Sequence, residues 1–184
     1  MKYQTQATID DLYRIDSKAE LIDGEIMMMS PTGGLPGYAA GEIFASLRTY
    51  GRQTGTGHAV GDNVGYIVDL PRRKSFSPDV SFHAGELSMK FHEGAPVFAV
   101  EVRSEGDYGP QAEAAMSQKR ADYFAAGTLV VWDVDLLSED LVRVYRPDQP
   151  EQPTIYRRDD VAEAEPAVPG WSMAVRDVLP PESA

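Results

Sequence analysis

The sequence predicts an α/β fold of the mixed-sheet kind: a central mixed β-sheet flanked by helices, with an N-terminal helix and β-hairpin ahead of it. Three observations carry that expectation. Pro96-Val97-Phe98-Ala99-Val100-Glu101-Val102 is apolar almost to its end, as a strand buried on both faces must be. The stretch from Pro110 to Gly127 has proline where helices begin and glycine just past where they end. Thr128-Leu129-Val130-Val131-Trp132-Asp133 then repeats the buried-strand pattern. Strand, helix and strand form a right-handed crossover, which makes the two strands parallel.

The remaining elements follow in chain order. Thr8 and Asp11 have the spacing of a capping box, opening a short helix to about Asp16. Asp23-Gly24 between Leu21-Ile22 and Ile26-Met27 is a hairpin signal, in a register that pairs Ile22 with Glu25 and Glu20 with Met27. The cluster Met27-Met28-Met29 reads as hairpin core. Ser30 to Gly37 is rich in proline and glycine and reads as a loop. From Tyr38 to Arg52, Ile43, Phe44, Leu47 and Tyr50 form one helical stripe. Val60 to Val68 alternates as a strand would, and Ser77 to Phe82 is a further strand after the basic turn Arg72-Arg73-Lys74. Glu139 to Tyr156 reads as a hairpin, Pro166 to Gly170 as a loop and Ser172 to Leu179 as a closing helix. No boundary divides the chain, so residues 1–184 are expected to form one domain.

Composition narrows the function. There is no cysteine, which excludes disulfides and thiolate metal sites and fits a reducing compartment. Three histidines are too few for an ordinary zinc site, and His83 and His92, around a polar loop, are expected to be solvated. The opening Met1-Lys2-Tyr3-Gln4-Thr5-Gln6 has no apolar signal core, and no stretch is long enough to span a membrane. The expectation is a cytoplasmic protein. A formal net charge of -12 argues against tight, non-specific binding to nucleic acid.

Three residues stand out chemically. Glu101 ends the apolar strand, where a charge needs a partner or a metal, and it shares a face with Arg103. Asp79 opens the neighbouring strand after Pro78, so the two carboxylates can converge on a hard cation such as Mg²⁺. Lys119 lies on the helical stripe Ala112, Met116, Lys119, Tyr123, Ala126, which faces the sheet. Its stem can pack there while its ammonium enters a polar pocket. Taken singly, each also has a plain structural reading: Asp79 as a turn cap, Glu101 in an ion pair with Arg103 of a partner strand or with Lys119, Lys119 snorkelling from a helix edge. Tyr123 and Trp132 read as core aromatics.

In order along the chain, Glu20-Leu21-Ile22-Asp23-Gly24-Glu25, Ser77-Pro78-Asp79-Val80, Val100-Glu101-Val102-Arg103-Ser104, Lys119 to Gly127 and Pro169-Gly170-Trp171 resemble a family of restriction-endonuclease-like proteins in the PD-(D/E)XK nuclease superfamily. The resemblance implies a restriction-endonuclease-like core and hydrolysis of DNA phosphodiester bonds by an enzyme dependent on Mg²⁺ or Mn²⁺. It implies Asp79, Glu101 and the backbone carbonyl of Val102 as metal ligands, Lys119 as a catalytic lysine supplied from the helix, and Glu20 as an acidic neighbour. It also implies a homodimer. The sequence differs from the superfamily pattern at Arg103, where the strand motif usually has lysine. It differs too at Gly37 and Tyr38, where many members carry a histidine. The alternative is a nuclease-like fold kept as a binding or interaction module.

Overall fold

The structure is a computed structural model that describes residues 6–181. Met1 to Thr5, most of the polar opening stretch, lies outside them. Helix α1 (Ile9–Leu12) is a single turn. Thr8 and Asp11 make the expected capping box, but the helix stops well before Asp16. Strands β1 (Ala19–Ile22) and β2 (Glu25–Met28) form the hairpin in the expected register. Asp23 and Gly24 both take positive φ, at 53° and 75°, as a tight turn of this kind requires. Met27 and Met28 are 49% and 59% exposed, so the methionines are not hairpin core. Both faces of β1 are covered, since the adjacent residues Glu20 and Leu21 are buried on opposite sides, whereas in β2 Ile26 is partly buried and Glu25, Met27 and Met28 are exposed.

Helix α2 (Gly34–Thr54) begins inside the expected loop. Pro36 falls in its first turn, where the missing N–H has no intrahelical acceptor to lose. Ala39, Ile43 and Leu47 form its buried stripe. The Val60 to Val68 region is not one strand. It breaks into β3 (His58–Val60) and β4 (Tyr66–Ile67), which belong to different sheets. Gly61-Asp62-Asn63 turns the chain between them, with Asn63 at φ 60°. Strand β5 (Ser75–Phe76) precedes β6 (Val80–His83), and β7 (His92–Glu93) joins β4 and β5 in a small sheet.

The central sheet is built on β8 (Phe98–Val102) and β9 (Val130–Val134), which run parallel and are linked by α3 (Pro110–Ala125). Adding β10 (Val142–Tyr145) and β11 (Thr154–Tyr156) gives the order β11-β10-β9-β8-β6-β3, antiparallel except at β8 and β9. The sheet is mixed, as expected. Period two sends Phe98, Val100, Val102, Val130, Trp132 and Val134 toward α2, while Ala99 and Val131 face α3 beside Tyr123. The chain closes with β12 (Val161–Glu163), β13 (Ser172–Ala174) and a 3-10 turn over Val175–Val178, not the expected helix. Met173, Val175 and Val178 are buried, a spacing that suits a strand running into a short turn. Trp171 packs tilted against Trp132, 5.1 Å between ring centroids, and seals the α2 side.

His83 and His92 are not solvated. Their rings lie 3.9 Å apart beside Tyr66, and His92 is buried. Burial holds both below the ordinary histidine range. No described helix is long and apolar enough to cross a membrane.

The junction of α2 and β3 gives a test of packing. A Cβ on Gly57 would meet the His83 carbonyl oxygen at 2.7 Å and the Phe82 ring at 2.6 Å, and backbone cannot yield cheaply. Gly57→Ala should destabilise by about 1–3 kcal/mol. Gly41, inside α2 with open space around its Cβ position, should respond with the opposite sign. Gly41→Ala is expected to stabilise by about 0.5–1 kcal/mol through helix propensity. Chemical denaturation of the two variants beside the unmodified protein checks both signs.

Candidate active site

Strand β1 places Glu20 inward, at 2% exposure. A carboxylate so far from water needs donors around it. The Arg73 guanidinium donates to Oε2, the Ser77 N–H to Oε1 at 2.9 Å, and the Lys119 ammonium lies 3.0 Å from Oε1. Arg73 in turn reaches Asp122 of α3 at 2.8 Å and lies over the Phe76 ring at 4.9 Å. Burial alone would push the Glu20 carboxyl up. Lys119, Arg73 and the Ser77 N–H outweigh it and hold the group below its ordinary value.

Glu101, one residue from the end of β8, is reached from the same helix. Lys119 Nζ is 2.8 Å from its Oε1, and the Tyr123 hydroxyl donates to that oxygen at 2.7 Å. Here burial pushes the carboxyl up, Lys119 opposes, and the negative charges of Asp79 and Glu20 add to the rise, which prevails. Burial disfavours the Lys119 ammonium, yet Glu101 and Glu20 together raise it above its ordinary value, so it stays charged. One ammonium thus serves two carboxylates held in opposite directions.

Asp79 stands just before β6. Its Oδ2 accepts from the Val102 N–H at 2.8 Å, and its Oδ1 is 2.6 Å from the Lys18 ammonium, which is also 2.6 Å from Asp62. Asp79 and Val102 line a cleft of about 310 Å³ with Gly37, Phe44 and Asp62. The structure therefore brings Glu20, Glu101 and Lys119 into direct contact. Asp79 joins them by the charge it exerts on Glu101, and Val102 engages through its N–H. Lys18, Asp62, Arg73 and the Tyr123 hydroxyl escaped the sequence reading. Lys18 had a signal: it precedes Glu20 by two and shares its face of the strand.

Residues 8–176 match the Uma2 family, described as "Putative restriction endonuclease". The chain belongs to that family. Among solved structures it is similar to a "putative nuclease" of a domain family of unknown function from Anabaena variabilis, with a TM-score of 0.74 over 93% of this chain and 96% of that one. At 18% identity the likeness shows a shared fold. No curated protein matches.

In this family member Arg103 is committed to structure. It clamps Asp133 through two bonds of 2.8 Å and also pairs with Glu113 of α3. A guanidinium locked in that fork is not available to a substrate. The lysine that contacts Glu20 and Glu101, Lys119, comes from α3.

The donor set suits a hard cation. Among the described residues no three histidine, aspartate or glutamate side chains converge to hold a metal unaided. Mg²⁺ does not need that, because it keeps several waters and takes one or two carboxylates plus phosphate oxygens. Glu101 presents such a group: both of its hydrogen bonds fall on Oε1, leaving Oε2 uncommitted among those of the described residues. Asp79 and Glu101 are each 20% exposed.

Removing Arg73 tests the buried pair. Arg73→Met leaves Glu20 with less positive charge than its burial demands and should cost about 3–5 kcal/mol. The pH dependence follows from the depressed Glu20 carboxyl. Its contribution is present above the ordinary glutamate value and lost as pH falls through the lower folded value. In Arg73→Met the folded value rises, so the acid limb of thermal melts taken between about pH 3 and 7 should move to higher pH.

Proposed function

We propose that this chain is a metal-dependent endonuclease hydrolysing DNA phosphodiester bonds, acting as one restriction-endonuclease-like domain over residues 1–184. Asp79, Glu101 and the Val102 carbonyl would hold Mg²⁺ or Mn²⁺. The bound ion would supply Lewis-acid charge and a water of lowered pKa. The observation that carries the reading is Lys119, a lysine whose side chain is only 18% exposed, kept protonated and aimed at the carboxylates by the sheet-facing side of α3. An ammonium so placed can donate to a phosphate oxygen as negative charge grows on it, and it costs no reorganisation because Glu20 and Glu101 already hold it in position. Glu20 is a positioning residue, kept ionised by Arg73 so that Lys119 stays charged. Tyr123 holds Glu101 from the second side. We propose further that two copies pair about a two-fold axis, which would present one site to each strand of a duplex.

The acidic balance of -12 favours a second reading, a non-catalytic module. Plasmid nicking with Mg²⁺ or Mn²⁺ at low salt separates the two. The unmodified protein is expected to nick. Glu101→Gln should abolish nicking, by about a hundredfold or more, while melting close to the unmodified protein, because the amide keeps the shape and still accepts from Lys119 and Tyr123. Lys119→Met should lower the rate by about 10²–10³. Absence of metal-dependent cleavage on any single strand or duplex would make the module the better reading. Cleavage unchanged in Glu101→Gln would place the activity elsewhere.

A further inference from the structure

Lys18 sits where a cation between Asp79 and Asp62 would sit. Its Nζ is 2.6 Å from an oxygen of each. Two carboxylates approach one point only around positive charge. The side chain is 15% exposed, and its backbone carbonyl is pinned by the Met29 N–H at 3.0 Å, so the ammonium is delivered to this place by the hairpin. Glu101 also acts on it through space. The other Asp79 oxygen is already bonded to Val102, which leaves Oδ1 as the ligand atom still in exchange. Asp62 is half exposed at the cleft and turns on Gly61 and Asn63, so it can keep hold of an ammonium that leaves Asp79.

We propose that Lys18 is a built-in counter-ion that occupies the cation position at Asp79, so that divalent metal enters by displacing its ammonium toward Asp62. This rests on the reading of Asp79 and Glu101 as metal ligands. An ammonium and a hydrated divalent ion are both compact, hard charges, and the exchange needs only a small shift, from 2.6 Å N···O contacts to metal–oxygen distances of about 2.1 Å. The protein thereby avoids an uncompensated carboxylate pair when metal is scarce, and it holds metal less tightly than the bare carboxylates would.

Mn²⁺ binding without nucleic acid, followed by calorimetry and by electron paramagnetic resonance, tests this. Lys18→Met is expected to bind about tenfold more tightly than the unmodified protein, the scale of one charge-assisted hydrogen bond. Lys18→Gln repeats the test with a polar side chain. Lys18→Arg should stay near the unmodified protein, since a cation remains. Lys74→Met, which removes an equal charge that pairs with Asp69 instead, should also stay near it. In EDTA, Lys18→Met should melt lower than the unmodified protein, and Mn²⁺ should restore it. Unchanged affinity in both Lys18→Met and Lys18→Gln overturns the counter-ion role, as does an equal gain in Lys74→Met, which would mark long-range charge alone. Mn²⁺ bound equally by the unmodified protein and Asp79→Asn overturns instead the assignment of Asp79 as a ligand, and this inference with it.

Discussion

Glu20 is a negative charge with almost no access to water, and the parts of the molecule that surround it are arranged to meet its need for donors. Arg73 arrives from the loop that follows β4, Ser77 offers its N–H from the turn after β5, and Lys119 comes down from α3. Three separate stretches of chain thus meet at one carboxylate. An unpaired charge in such surroundings costs several kcal/mol, whereas a fully donated one holds its partners in fixed geometry. Lys119 is fixed in this way before any substrate arrives, and Tyr123 gains its place through the same packing, stacked on Phe76 at 4.0 Å.

Much of this was legible in the residues. The apolar run to Glu101, the proline and glycine bracketing α3, and Asp23-Gly24 between apolar pairs each specify local geometry strongly, and the structure follows them. The helical stripe through Met116, Lys119 and Tyr123 placed the lysine on the sheet-facing side. The failures share a cause. Val60 to Val68 alternates correctly, but Gly61-Asp62-Asn63 diverts it to another sheet, and alternation alone does not say which neighbour a strand chooses. The methionines of β2 were read from their hydrophobicity, while exposure was decided by which hairpin face met the rest of the chain. His83 and His92 lie nine residues apart in sequence and touch only because β6 and β7 bring them together. Arg73 was hidden for a similar reason, since an ion pair with Glu20 across 53 residues leaves no local pattern.

The superfamily's usual strand lysine is replaced here by Arg103, and the structure shows what the exchange does. The guanidinium ties β8 to β9 through Asp133 and to α3 through Glu113. The position has become part of the frame that docks the helix. The acidic balance of the chain has a related local face, since Lys18, Arg73, Arg103 and Lys119 are each matched to carboxylates. These buried or half-buried cations are neutralised where they stand.

Carrying the key ammonium on a helix instead of a strand also changes what happens when the protein breathes. Strands β8 and β9 lie at the centre of the sheet, whereas α3 has one fully buried residue, Tyr123, and is held besides by partly buried neighbours and by ion pairs of Glu113, Lys119 and Asp122. A helix with so little buried apolar surface can open in a partial unfolding event that leaves the central strands closed. Each such opening would withdraw Lys119 from both glutamates at once and leave the carboxylates to repel one another, so closing is favoured by charge as well as by packing. On the proposed role of Lys119, the chemistry would be tied to the closed ensemble: a molecule whose helix has lifted would retain its sheet but lose its lysine, and a damaged or half-folded copy would be silent, not indiscriminate.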